Sequence, residues 1–318
     1  MTTIAVLGWF PSMPEDLERA VPEDRVVRFE RRGPFEGADA IEVALGAPSP
    51  ELIAEFLARA PRLRWVHTLS AGVERLMIPE VVSRRGLVLT NNSGSYDVPI
   101  AEFVLAAMLA SAKHLPDYLR AQQRAHWDKD RDHAELRGAT LVVLGLGSIG
   151  GEVARLASAF GMHVIGVRRR PDAAPPPGVS QVVPPERLAD AVVEADFLAV
   201  TAPLTPATRG LVSREVLGRM KPGAYLVNIA RGAIVDEAAL LEALRSGRLA
   251  GAAIDAWWTE PLPPESQWWS LSNVMATPHV SNSSPRVRER TLALFLDNLR
   301  RWKAGEPLQN VVDLKAGY

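Results

Sequence analysis

The stretch Thr140-Leu141-Val142-Val143-Leu144-Gly145-Leu146-Gly147-Ser148-Ile149-Gly150 decides how this sequence is read. An apolar run of strand type passes straight into a glycine turn, and a helix follows with Ile149, Val153, Leu156, Ala157 and Phe160 on one face. A second apolar run starts at His163, which completes a βαβ unit. Gly145 permits the tight turn, Gly147 lets backbone approach a pyrophosphate, and Gly150 lets helix and strand pack closely. The helix N-terminal amides around Ser148 and Ile149 offer donors to the anion. A dinucleotide site is expected here, because a glycine turn that only reverses the chain does not need a strand before it and a helix after it.

At the end of the second strand, an acidic residue would accept hydrogen bonds from the adenosine ribose hydroxyls of NAD. Arg168-Arg169-Arg170 stand there instead. Guanidinium forks bind a 2′-phosphate, so NADP(H) is expected over NAD(H), with NAD(H) left open; the alternative is a solvated basic loop.

Outward from this unit, short β-rich runs alternate with helical patterns. Strands are expected over Thr3 to Leu7, Val26 to Glu30, Ile41 to Leu45, Arg64 to Leu69 and Leu87 to Thr90. A second series runs over Thr140 to Leu144, Val164 to Val167, Phe197 to Thr201, Tyr225 to Ile229, Ala252 to Asp255 and Val274 to Ala276. Ser49-Pro50 opens a helix as cap and first residue, with Leu52, Phe56 and Leu57 at helical spacing. Pro171 to Pro177 reads as a surface loop, Thr291 to Trp302 as a helix, and Pro307 to Tyr318 as a tail with few packing signals. The fold class is α/β: two Rossmann-like or flavodoxin-like doubly wound parallel-sheet domains with a cleft between them. Residues 1–97 with 287–318 would bind substrate, and residues 98–286 the dinucleotide.

At 318 residues, 47% hydrophobic and 23% charged, the chain suits about two globular domains. A formal net charge of -1 gives no overall field to attract nucleic acid or an anionic membrane, so a small-molecule partner is expected and neither of those. No cysteine is present, which excludes disulfides, thiolate metal sites and a cysteine nucleophile; no metal is expected. Ile4 to Leu7 is too short for a signal segment, and Val98 to Ala112 carries Glu102 and falls short of the roughly 20 residues that span a bilayer. A cytoplasmic location is therefore expected.

At Asn228-Ile229-Ala230-Arg231-Gly232, Asp255 with Glu260-Pro261, and Thr277-Pro278-His279, the chain resembles the D-isomer-specific 2-hydroxyacid dehydrogenases. Ser70-Ala71-Gly72-Val73, Ala101-Glu102, Pro203 to Gly210 and Asn310-Val311-Val312-Asp313 extend the resemblance over nearly the whole length. Within the family it is most similar to the glyoxylate and hydroxypyruvate reductase branch. The resemblance implies hydride transfer from NADPH to a small 2-oxo acid. Reduction of a 2-oxo acid needs a carboxylate clamp, a proton donor and a partner for the donor. Arg231 suits the first, because its planar fork matches a carboxylate and keeps its charge. His279 suits the second, since imidazole gives and takes a proton near neutrality. Glu260 suits the third, because a carboxylate beside an imidazole favours the charged form and fixes its orientation.

The resemblance also assigns the nicotinamide carboxamide to Asp255, with the backbone at Ile229 and Ala230 on the same ring. It assigns the adjoining ribose to Thr201, Ala202 and Pro203, and the substrate carboxylate to the amides of Ala71 and Gly72. A turn-capping role is the alternative for Asp255, and Tyr96 is either a pocket residue or core. A homodimer through the helices from Val98 to about Arg131 is implied as well. Ser281-Asn282 stand where the family has a small residue and glycine, so a more polar pocket floor is expected; Trp257-Trp258 and Trp268-Trp269 would shape the pocket, a subunit contact or the core. Two other readings stand beside this one. A 3-phosphoglycerate-type dehydrogenase using NAD is opposed by Arg168 and by a chain that leaves no room for an appended regulatory domain. A cofactor-sensing corepressor-like interaction protein would bind the dinucleotide without turnover.

Overall fold

Parallel pairing joins every pair of neighbouring strands. The computed structural model describes residues 1–7, 12–29, 36–46, 49–314 and 317. They form two units, Met1–Tyr96 with Ser284–Tyr318 and Asp97–Ser283.

The first unit contains β1 (Thr3–Val6), β2 (Arg25–Arg28), β3 (Val43–Leu45), β4 (Trp65–His67) and β5 (Val88–Thr90), in the order β2-β1-β3-β4-β5. That is the flavodoxin-like order. Ile4, Val6, Val43 and Trp65 face one core with Met13 and Leu17 of helix Met13–Ala20 and Phe295 and Leu299 of helix Val287–Ala304. Ala5, Leu7, Ala44 and Val66 face the other, with Ile53, Phe56 and Leu57 of helix Pro50–Arg59. Ser49 caps that helix, accepting from the Leu52 N–H at 3.2 Å, as its sequence predicts. Phe295 stacks on Trp65 at 5.2 Å between ring centroids, fixing the C-terminal helix to the sheet.

The chain after that helix has few apolar signals but is held by polar ones. Asn298 accepts from Gln309 N–H at 2.7 Å and donates to its carbonyl at 3.1 Å, and Val312 N–H donates to Leu89 O at 2.9 Å. Lys315, Ala316 and Tyr318 lie outside the described residues, as does Glu30 of the strand expected over Val26 to Glu30.

The second unit contains β6 (Thr140–Leu144), β7 (His163–Val167), β8 (Gln181–Val183), β9 (Phe197–Val200), β10 (Tyr225–Asn228), β11 (Gly251–Ile254) and β12 (Val274–Ala276). Their order is β12-β11-β10-β9-β6-β7-β8. The sequence gives no sign of β8, a three-residue edge strand caught between Pro171 to Pro177 and Pro184, where proline composition masks strand pattern. The strand order reverses beside β6, so the carboxyl ends of β6 and β9 adjoin at the point where open α/β sheets bind ligands. Among the described residues, no single helix is long and apolar enough to cross a membrane.

His67 in β4 is fully buried, with its Nδ1 2.8 Å from the Thr90 hydroxyl that also accepts from Trp65 Nε1 at 2.8 Å. Burial pushes its pKa down to about 4. An unfolded chain takes up this proton near 6.5, the folded chain only near 4, so stability falls as pH drops through that window. Denaturant titrations at pH 7 and pH 4.5 should show a loss on the order of 2 kcal/mol that is absent in His67→Asn. Equal pH slopes for the two proteins would refute this.

Candidate active site

The turn leaving β6 is built from close approaches that only glycine allows. Gly145 has φ +103°, and a Cβ there would lie 2.6 Å from the Ala202 backbone beyond β9. A Cβ on Gly150 would lie 1.9 Å from the Gly145 carbonyl and 2.8 Å from Thr201 Oγ1. The third glycine therefore lets the helix pack on its own turn, rather than on the strand as the motif suggests. Thr201 donates its hydroxyl to Gly145 O at 2.6 Å, so its side chain braces the turn from β9. Leu146 occupies the space that a side chain on Gly166 of β7 would need.

Gly147 differs from the other two. It stands at the N-cap of helix Ser148–Ala159, where no side chain caps the helix, and nothing lies within 4 Å of the Cβ it lacks. Ser148 is exposed and Ile149 half-buried at the helix start. An uncapped helix N-terminus beside an open backbone surface fits an anionic pyrophosphate.

Beyond β7 the three arginines part company. Arg168 is half-buried and turned onto its own loop, donating from Nη2 to Ala173 O and, at 3.0 Å, to Ala174 O. Its Nε is buried and has no hydrogen-bond partner among the described residues. Arg169 and Arg170 are exposed. The pattern Arg-Arg-Arg thus combines one loop brace with two outward cations.

Arg231, Glu260 and His279 follow β10, β11 and β12, three neighbours in the sheet. Adjacent parallel strands lie about 4.8 Å apart, so their exits open onto one edge. His279 Nδ1 sits 3.0 Å from both Glu260 carboxylate oxygens. Glu260 Oε1 also accepts from the Trp257 N–H at 2.9 Å, which aims the carboxylate. Trp257 Nε1 donates to Thr277 O at 2.9 Å, tying the two loops together. Arg231 is half-buried and donates from Nη1 to Ala230 O at 2.7 Å. A Cβ on Gly232 would lie 2.4 Å from the Trp257-Trp258 peptide, so the Arg231 loop lies directly against the loop bearing Glu260.

Two buried polar side chains shape these loops; the sequence offers this task for Asp255 only as the turn-capping alternative and for Asn228 not at all. Asn228 accepts from the Ala230 N–H and donates to Arg231 O, each at 3.1 Å, folding the turn that presents Arg231. Asp255 is fully buried; its Oδ1 accepts from Thr277 Oγ1 at 2.6 Å and Val280 N–H at 2.9 Å, and its Oδ2 from Ser281 N–H at 2.9 Å. Burial pushes this carboxyl up, but hydrogen bonds from the Ser281 and Thr277 hydroxyls and the Ser281 and Val280 amides outweigh it and hold the pKa below the usual range. Polar residues at the carboxyl ends of apolar strands are the signal that could have found both.

The remaining positions divide cleanly. Ile229 and Ala230 are buried at the β10 exit, and Ala202 at the β9 exit beside an exposed Pro203. Ser281 is buried, so it adds to the support of the His279 loop rather than to an open pocket floor. Trp258 stacks on Trp268 at 5.3 Å and Trp257 meets it edge-on at 5.8 Å; Trp269 is exposed. Ala71, Gly72 and Tyr96 belong to the first unit, where Ala71 O accepts from Asn91 Nδ2 at 3.1 Å and the Tyr96 hydroxyl donates to Leu69 O. Tyr96 is therefore a core residue with a satisfied hydroxyl.

A histidine–glutamate pair and an open glycine turn at the carboxyl edge of one doubly wound sheet fit the arrangement of nicotinamide-dependent dehydrogenases. A family model for "D-isomer specific 2-hydroxyacid dehydrogenase, NAD binding domain" matches residues 105–281. The chain belongs to the D-isomer-specific 2-hydroxyacid dehydrogenases, a family of NAD(P)-dependent enzymes. It is 34% identical over 304 residues to a glyoxylate reductase of Korarchaeum cryptofilum, covering 93% of this chain and 88% of that protein. A D-isomer specific 2-hydroxyacid dehydrogenase from Xanthobacter autotrophicus Py2, solved with NADPH and MES, superposes with TM-score 0.86 at 32% identity, covering 100% of this chain and 99% of that one. An NADPH-dependent glyoxylate/hydroxypyruvate reductase from Sinorhizobium meliloti, solved with NADP and sulfate, gives TM-score 0.86 at 29% identity over 100% of both chains. The chain spans about half the length of the D-3-phosphoglycerate dehydrogenases that it also matches.

The unequal surroundings of two glycines separate folding from binding. Gly147→Ala should leave the melting temperature within about 2 °C of wild type yet weaken dinucleotide binding about tenfold or more, whereas Gly150→Ala should lower the melting temperature by several degrees. Calorimetry with a fluorescence titration reads both, and a destabilised Gly147→Ala protein would contradict the open cradle.

Proposed function

We propose that the chain transfers hydride from NADPH to the carbonyl carbon of a small 2-oxo acid of the glyoxylate or hydroxypyruvate kind, giving a D-2-hydroxy acid. The observation that carries this reading is the contact of His279 Nδ1 with both Glu260 oxygens at 3.0 Å. A carboxylate only accepts, so Nδ1 keeps its hydrogen and Nε2 is the nitrogen that exchanges a proton. In reduction Nε2–H protonates the carbonyl oxygen; in oxidation the neutral Nε2 takes the hydroxyl proton. Glu260 offsets the charge of the imidazolium and, held by the Trp257 N–H, keeps the ring in one orientation.

Arg231 is suited to clamp the substrate carboxylate with its planar fork. The amides that open helix Ser148–Ala159 would hold the pyrophosphate across Gly147, and the exposed Arg169 and Arg170 would meet a 2′-phosphate, with Arg168 bracing their loop. When bound there, NADPH supplies the hydride. The printed activities of the Korarchaeum and Sinorhizobium proteins support this substrate class and cofactor.

A panel of 2-oxo acids followed at the absorbance of the reduced nicotinamide tests the reading. Reduction should be faster with NADPH than with NADH, His279→Ala should lower kcat by about 10² or more, and Arg231→Gln should raise KM for the acid about tenfold or more. If His279→Ala matches wild type, the mechanism is wrong.

Two copies are also proposed to pair through the helix Leu115–Gln123 and the segment after it. Leu115, Leu119 and Trp127 are 49%, 61% and 89% exposed, apolar side chains that a second copy would cover. Sedimentation should give a dimer for wild type and a smaller species for Leu119→Asp with Trp127→Asp; a monomeric wild type would refute it.

A further inference from the structure

We propose that Asn310 is a positioning residue: acting through Asn91, it fixes the peptides that present the Ala71 and Gly72 N–H groups to the carboxylate of the 2-oxo acid. The proposal deepens the reading above and rests on it for the substrate class.

The chain turns after β4, and three successive carbonyls of that turn are held by the segment after β5. Leu69 O accepts from the Tyr96 hydroxyl, Ser70 O from the Asn92 N–H at 3.1 Å, and Ala71 O from Asn91 Nδ2 at 3.1 Å. A trans peptide is planar, and its N–H points opposite to its carbonyl. Fixing Ser70 O therefore fixes the direction of the Ala71 N–H, and fixing Ala71 O fixes that of the Gly72 N–H. Both donors point away from the residues that hold the turn, and among the described residues neither meets an acceptor. Ala71 and Gly72 are half-buried. Two successive N–H groups left without acceptors at a strand exit fit an anion.

Asn91 is itself held from the C-terminal segment. Its Oδ1 accepts from the Ser93 N–H at 3.1 Å, and its own N–H donates to Asn310 O at 3.1 Å. Asn310 has φ +55°, a left-handed conformation that asparagine adopts more readily than most residues. In this conformation its Nδ2 donates to Ser93 O at 2.7 Å and to Asn91 O at 3.5 Å. The segment is anchored beside it: Val311 bridges to Thr90 in antiparallel fashion, Val312 N–H donates to Leu89 O at 2.9 Å, and the Val312 side chain enters the core. The run Asn310-Val311-Val312 thus joins an anchor to a clamp. The valines fixed along β5 place the asparagine that closes the Asn91–Ser93 turn, and that turn holds Ala71 O.

The test uses the full chain with bound NADPH and oxamate, an unreactive 2-oxo acid analogue, and follows the amide signals of Ala71 and Gly72 by NMR. In wild type both signals should move as oxamate binds. Asn91→Asp keeps the acceptor for the Ser93 N–H and puts an oxygen in place of the donor to Ala71 O, so the oxamate Kd should rise about tenfold. Asn310→Gly keeps the left-handed backbone and removes the clamp, so the Kd should rise about fivefold. In both, the NADPH Kd should stay within about twofold of wild type, and KM for the 2-oxo acid should rise with the oxamate Kd while kcat changes less. Wild-type signals that stay in place, or an oxamate Kd unchanged in Asn310→Gly, would overturn the proposal. Should Asn310→Gly fail to fold, Asn310→Asp, which tolerates the same backbone and lacks the donor, is read in the same way. Oxamate is not turned over, so a wild type that reduces no 2-oxo acid, but binds oxamate at Ala71 and Gly72 with these losses in the variants, refutes the reaction and supports the positioning.

Discussion

Parallel strand pairing is the constraint on which the rest of this protein depends. It sends every strand of a sheet out at the same edge, so residues far apart in the sequence are brought together by neighbouring exits. In the second unit the exits of β6 and β9 make the glycine turn, and those of β10, β11 and β12 carry Arg231, Glu260 and His279. The strands themselves contribute only apolar bulk: Val142, Leu144, Leu198, Val200, Leu226, Ala252 and Ile254 share one core. Burying that core fixes strand spacing, and strand spacing fixes how far apart the loops begin.

Loops that begin close together still need to be stopped in one conformation. The protein does this with buried polar side chains placed at strand ends, where apolar packing stops. Thr201 clamps the Gly145 carbonyl, Asn228 folds the turn at Arg231, and Asp255 gathers the turn at His279. Each hydrogen bond of this kind is worth about 1 kcal/mol, and those to a charge about 1.5–3. A fully buried carboxylate loses several kcal/mol of solvation, which the Thr277 hydroxyl and the Val280 and Ser281 N–H groups offset at Asp255. These bonds hold the turn in which His279 adopts φ +55°.

Much of this was legible in the residues. Alternating apolar runs and helical patterns specify two parallel α/β units, because parallel strands covered on both faces must be apolar along their length. The capping Ser49, the glycine turn and the Arg231, Glu260 and His279 set were readable too, each from a residue type that few other tasks require. Other features were not. The edge strand β8 is three residues among prolines. The C-terminal segment is tied down by Asn298 and Asn310, whose hydrogen bonds leave no periodicity in the sequence. Of three equivalent-looking arginines Arg168 braces its loop, because only the loop path shows that its guanidinium meets the Ala174 carbonyl.

The sequence alone determined which groups are at hand for the proposed chemistry: an imidazole, a carboxylate, a guanidinium and a glycine turn. Residue type settles these, since charge, donor count and the absence of a Cβ are properties of a side chain wherever it lies. Only the tertiary structure decided what holds them. That Asp255 gathers Thr277, Val280 and Ser281 depends on which groups the folded backbone brings within 3 Å of it. Those groups are 22 to 26 residues away along the chain and meet Asp255 only because β11 and β12 pair.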